Sequence, residues 1–153
     1  MSLADDRLDV IELIHRYAAV VDLKRYEDIP LVFATDAECD YGSMRAYLGE
    51  DCHPRGLGDI ERWIRRYTGT RSSMHFMHNH VVELHGDVAT MRNYMHNTTS
   101  SIAGVYETEA RRTAHGWRLT RLHLEETFLD PDRVPPTPPA DADALSDAGA
   151  HDA

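Results

Sequence analysis

"SMHFMHNHVVELHGDVATMRNYMHNTT", residues 73–99, decides the fold of this chain. Two runs rich in β-branched and aromatic residues flank Gly86-Asp87, a pair that suits a tight hairpin turn. A second pair of runs, "IAGVYETEARRTA" and "WRLTRLHLEETF", turns around His115-Gly116. What precedes them has a different period. Leu8, Ile11, Ile14, Tyr17, Ala18 and Val21 recur every three or four residues, which predicts a helix over 5–23 with one apolar stripe. Asp5 and Asp6 suit the positive end of its dipole. A short second helix is expected at Ile29–Phe33, with Pro30 tolerated in its first turn. "DAECDYGS" (36–43) reads as a strand with Ala37, Cys39 and Tyr41 on one face, and "DIERWIRRY" (59–67) as a third helix carrying Ile60, Trp63, Ile64 and Tyr67. Three helices followed by long antiparallel strands predict an α+β fold, the helices lying on one side of a curved sheet.

The bulk numbers fit one domain. The chain has 153 residues, 42% hydrophobic and 27% charged, and a formal net charge of -10. A surface that acidic repels phosphate backbones, so no nucleic-acid partner is expected. No apolar run approaches the roughly 20 residues of a membrane-spanning helix, and the opening "MSLADDRLDV" lacks the basic-then-apolar pattern of a secretory signal; a cytoplasmic location is the expectation. Cys39 and Cys52 have no CxxC partner and read as two thiols. The folded domain is expected over 1–129. From Asp130 the composition changes: 130–153 holds five of the seven prolines, six Asp and one Arg, which predicts a disordered acidic tail.

Four of the ten histidines crowd into the first strand of this hairpin, at 75, 78, 80 and 85. In an unbulged register His75 faces Thr98, Met77 faces His96, and Asn79 faces Tyr94. His75 and His96 then share a face as diagonal neighbours, within reach of long side chains. His78 and His80 leave from the other face, toward solvent or an interface. A bulge would break this register. Ligands leaving opposite faces of one strand cannot converge, so no metal is expected.

Helix 1 ends in "RYAAVVDLKRYEDIPLVFATDAECDYG", followed by "SMHFMHNHVVELHGDVATMRNY" and "GVYETEARRTAHGWRL". In that order these segments resemble the SnoaL-like branch of the nuclear transport factor 2-like superfamily, over about Leu8 to Phe128. Similar members include scytalone dehydratase, bile acid 7-alpha-dehydratase, hexachlorocyclohexane dehydrochlorinase and SnoaL-like polyketide cyclases. The resemblance implies a cone-shaped sheet that encloses an apolar pocket with the helices, and a homotrimer or homodimer. It also implies site residues. Asp22 matches the dehydratases' acid and His75 the histidine that this acid supports. Tyr41 matches a first-strand tyrosine, His96 a second pocket histidine, and Tyr17 a pocket tyrosine of the bile acid enzyme. Val21 departs from scytalone dehydratase, which has tyrosine there. The dehydrochlorinase's pocket arginine falls on Arg111, Arg112 or Thr113, without a choice among them.

The residue types suit proton abstraction from carbon. Imidazole titrates near working pH, at about 6.5, and a carboxylate on its other nitrogen fixes the tautomer and stabilises the cation. The expectation is a cofactor-free lyase or isomerase, dehydratase- or cyclase-like, acting on a small cyclic or polyketide-like molecule. His75 is the expected base, Asp22 its support, Tyr41 and Tyr17 hydrogen-bond donors, His96 the acid for the departing group, and Met77 and Met95 pocket walls. Taken singly, Asp22 equally suits a helix-end cap, His75 a satisfied core histidine and Tyr17 a core residue. The alternative is a non-catalytic ligand-binding or assembly module of the same fold.

Overall fold

The computed structural model describes residues 2–48, 52–69, 73–98 and 102–129; the expected tail at 130–153 lies outside the described residues. Helix α1 spans Leu3–Leu23, two residues earlier than the apolar stripe predicts. A capping box explains the difference: the Asp5 N–H donates to Ser2 Oγ at 3.2 Å, and the Ser2 N–H donates to the Asp5 carboxylate at 2.8 Å. Lys24, with a left-handed φ of 59°, ends the helix and leaves Asp22 in its last turn. Helix α2 (Ile29–Val32) runs directly into strand β1 (Phe33–Asp40), which therefore starts three residues before Asp36. One-turn helix α3 (Arg45–Leu48) and helix α4 (Leu57–Thr68) follow.

The remaining strands are β2 (His75–His85), β3 (Val88–Asn97), β4 (Ile102–Thr113) and β5 (Gly116–Leu129). They form one open five-stranded sheet in the order β1-β5-β4-β3-β2. β1 lies parallel to β5 while every other pair is antiparallel, so the sheet is mixed. The β2–β3 turn is the expected two-residue loop, Gly86-Asp87, between paired His85 and Val88, and Gly86 takes a φ of 65° that suits glycine. The second turn falls one residue earlier than expected, on Ala114-His115 between paired Thr113 and Gly116.

Helices α1, α2 and α4 bury one face of the sheet. Val10 and Ile14 of α1, Val32 of α2, and Ile60 and Ile64 of α4 are fully buried with Leu119 and Leu122 of β5. Each large aliphatic side chain so removed from water contributes about 1.5–3 kcal/mol before entropy is counted. Groups outside the sheet bond to the backbone of both its edge strands. Arg7 of α1 donates to the carbonyl of Val82 on β2. At β1 the partner is the segment 52–56: the Cys39 N–H donates to Pro54 O at 3.0 Å and the Tyr41 N–H to Cys52 O at 2.8 Å. Among the described residues no helix is long and apolar enough to cross a membrane.

Candidate active site

The site begins where the last turn of α1 meets the first residue of β2. His75 opens an edge strand, so its backbone N–H has no sheet partner on that side; Asp22 Oδ2 accepts it at 2.7 Å. The other carboxylate oxygen, Oδ1, lies 2.5 Å from His75 Nδ1. An ionised carboxylate only accepts, so Nδ1 carries a proton, and in the neutral ring the lone pair is on Nε2. Both side chains are largely withdrawn from solvent, with 13% of His75 and 9% of Asp22 exposed. The ring therefore cannot turn without giving up a short charge-assisted hydrogen bond.

His75 forms part of the wall of a narrow cavity of about 80 Å³ between the helices and the sheet. Aromatic side chains build most of it. Tyr41, at the end of β1, stacks flat on Trp63 of α4, with ring centroids 4.1 Å apart and planes 5° from parallel. Tyr67, one turn on from Trp63, tilts against it at 4.7 Å. Tyr17 of α1 places its hydroxyl 2.8 Å from that of Tyr41 and meets Tyr106 of β4 edge to face. Met95, Ile102 and Leu124 add the apolar floor; Asn97 and Glu126 add polar groups. Burial pushes the phenols of Tyr17, Tyr41 and Tyr106 well above their ordinary value, so all three stay protonated at neutral pH. A neutral, deeply buried phenol is a fixed hydrogen-bond donor or acceptor, not a base.

The structure thus brings Asp22, His75, Tyr17, Tyr41 and Met95 to one place. It takes two other expected residues elsewhere. His96 is not in the cavity: it stands opposite Phe76 on the outer face of the sheet, stacks on that ring at 4.9 Å, and places Nδ1 3.2 Å from His78 Nε2. Met77 is half-buried against the core and is not one of the cavity's walls; the Asn93 side-chain amide contacts its sulfur at 3.7 Å. A bulge causes the first departure. Asn79 has a left-handed φ of 57°, and Asn79 with His80 stands opposite a single residue, Asn93. One added residue shifts the pairing, so His75 faces Asn97 and not Thr98. It also reverses parity beyond the bulge, which turns His80 inward against His15 of α1 at 4.9 Å, contrary to the expected outward placement. Arg111 pairs with Asp36, and Arg112 with Asp6 and Asp87; neither reaches the cavity.

Sequence reasoning assigned Trp63 and Tyr67 only to a helix stripe and overlooked Tyr106, Asn97 and Glu126 as walls. The stripe itself held the signal, since Trp63 and Tyr67 at spacing four share one face of α4.

The comparisons with known proteins fit this architecture. An uncharacterized protein of Mycobacterium tuberculosis is 28% identical over 126 residues, covering 76% of this chain and 82% of its own length. The crystal structure of a Kribbella flavida protein superposes with a TM-score of 0.74 at 26% identity, over 85% of this chain and 96% of that one. A hexachlorocyclohexane dehydrochlorinase from Novosphingobium barchaimii superposes with a TM-score of 0.71 at 16% identity, over 83% and 90% of the two chains, a likeness of fold. The SnoaL-like domain model matches residues 2–123, and the chain belongs to the SnoaL-like family.

Proposed function

We propose that this protein is a cofactor-free lyase or isomerase in which His75 Nε2 removes a proton from carbon beside a carbonyl of a small cyclic substrate. The observation that carries this reading is the doubly held imidazole: Asp22 binds the His75 ring at 2.5 Å and its backbone at 2.7 Å, on the wall of an aromatic cavity. The C–H electron pair moves toward the carbonyl, whose oxygen gains negative charge, and the proton goes to Nε2. Asp22 stabilises the resulting imidazolium. Tyr41, kept protonated by burial, is the group best suited to donate to the developing oxyanion. Where the neighbouring carbon bears a hydroxyl, the electron pair returns to form the double bond. The hydroxyl then departs with its bonding pair, takes the proton from the imidazolium and leaves as water. Return of the proton at a different carbon gives isomerisation by the same groups. That a dehydrochlorinase shares the fold supports elimination as the reaction class.

The test is a panel of small hydroxylated cyclic ketones, followed by loss of substrate and appearance of the conjugated product. Turnover by the wild type and its loss by at least about 10²-fold in His75→Ala is the expected result. Binding without turnover across the panel would leave a non-catalytic ligand carrier.

A further inference from the structure

Two hydrogen-bonding groups in the cavity wall are buried and unused. The Tyr67 hydroxyl and the Trp63 indole N–H have no hydrogen-bond partner among the described residues, although both atoms are shielded from bulk water. Tyr67 as a whole is 2% exposed. Both side chains belong to the cavity, and they lie four residues apart on one face of α4. Buried polar groups in folded proteins nearly always have partners, so two orphans on one wall of one cavity point to a partner that arrives from outside. The second tryptophan provides the contrast. Trp117, 2% exposed where Trp63 is half-buried, donates its Nε1–H to Asp6 at 3.2 Å.

We propose that Trp63 and Tyr67 form a recognition pair for a hydrogen-bond-accepting oxygen on a small, largely apolar ligand. An indole N–H can only donate, which fixes the complementary ligand atom as an acceptor. Tyr41 and Trp63, stacked in contact, present aromatic surface as one wall, with Tyr67 tilted beside them. The cavity's size, about 80 Å³, limits the ligand to a small molecule. Apolar Met95, Ile102 and Leu124 receive the ligand's hydrocarbon part. This inference rests on the reading of the same cavity as a substrate site, and it names the substrate class: a small apolar molecule carrying an acceptor oxygen, such as a carbonyl. It assigns Trp63 and Tyr67 to binding and specificity, not to proton transfer.

Binding alone tests it, so its failure is distinct from failure of the proposed chemistry. Benzaldehyde and toluene differ in the presence of one acceptor oxygen and have nearly the same shape. Isothermal titration of the full chain with each probe is expected to give about tenfold tighter binding of benzaldehyde. Tyr67→Phe and Trp63→Phe should each reduce that preference toward unity while toluene affinity holds. In a nitrogen–proton correlation spectrum the Trp63 indole signal should move on adding benzaldehyde, while that of Trp117 stays in place. His75→Ala should retain the preference, because it does not touch the pair. Equal affinities in the wild type, an unmoved Trp63 signal, or no binding of either probe overturns the proposal. A retained preference in a protein that turns over nothing would leave the recognition pair standing and remove only the lyase reading.

Discussion

Asp22 grips His75 at two points, with one carboxylate oxygen on the ring and the other on the backbone N–H that starts β2. The double contact ties the orientation of the imidazole to the junction between α1 and the sheet. Asp22→Asn keeps an acceptor there but offers a neutral amide in place of the anion, so it neither fixes the tautomer as firmly nor stabilises the imidazolium. The expected outcome is a fall in kcat on the order of 10³–10⁴-fold with an unchanged circular dichroism spectrum. Rates within a few-fold of wild type in a folded Asp22→Asn protein would remove His75 as the base.

Tyr41 and Tyr17 share a hydrogen bond at 2.8 Å, and Tyr41 also lies flat on Trp63. Phenylalanine at 41 preserves the stack and deletes only the hydroxyl. Loss of a donor aimed at a developing oxyanion typically costs about 10²–10³-fold in kcat. Tyr17→Phe removes the partner one step back and should have the smaller kinetic effect. Each change leaves a buried hydroxyl with one bond fewer, which destabilises the fold by about 1–3 kcal/mol. A kcat in Tyr41→Phe equal to that of wild type would move the oxyanion donor elsewhere, with Tyr106 the next candidate.

Away from the cavity, Asp6 joins the start of α1 to the sheet. It accepts from Arg112 at 2.7 Å and from the Trp117 indole at 3.2 Å. The Arg112 hydrogen bond is the largest influence on its carboxyl and holds it below the ordinary 3.8, against the opposing effect of burial; the Trp117 bond adds to the lowering. A group depressed in the folded state stabilises the protein above its unfolded value and ceases to do so as the pH falls through the folded value. Asp6 should therefore contribute fully at neutral pH and progressively less in the acid range below 3.8. Arg112→Ala removes the main cause of the depression, so its acid-unfolding midpoint should lie at a higher pH than that of wild type. Coincident midpoints, followed by far-ultraviolet circular dichroism, would show that Asp6 does not respond to Arg112 in this way.

Elements with strong periodicity were legible in the sequence. Helices α1 and α4, both hairpins and the inward face of Ala37, Cys39 and Tyr41 follow from apolar spacing of three to four or of two. The parallel pairing of β1 with β5 was not legible, because strand order is set by contacts between Phe33–Asp40 and 119–123, far apart in the chain. The position of His96 failed for a local reason. Parity is read by counting residues, and nothing in the count reveals that Asn79 is an extra residue. His96→Ala gives the kinetic consequence. With its ring stacked on Phe76 outside the sheet, the substitution should leave kcat/KM within about twofold of wild type. A loss of more than about tenfold would return His96 to the reacting groups.

The bulge makes a prediction of its own. A left-handed φ costs an ordinary side chain about 1–2 kcal/mol through contact of Cβ with the backbone, whereas asparagine and glycine tolerate it. Asn79, at 57°, is one of two non-glycine residues with positive φ among those described, the other being Lys24 at the end of α1. Asn79→Gly should leave stability within about 0.5 kcal/mol of wild type, and Asn79→Val, branched at Cβ, should lose at least about 1–2 kcal/mol. Urea unfolding of the three proteins measures both differences. A valine variant as stable as wild type would mean that Asn79 does not hold the left-handed conformation. The pairing of His75 with Asn97, and of His96 with Phe76, would then need another cause.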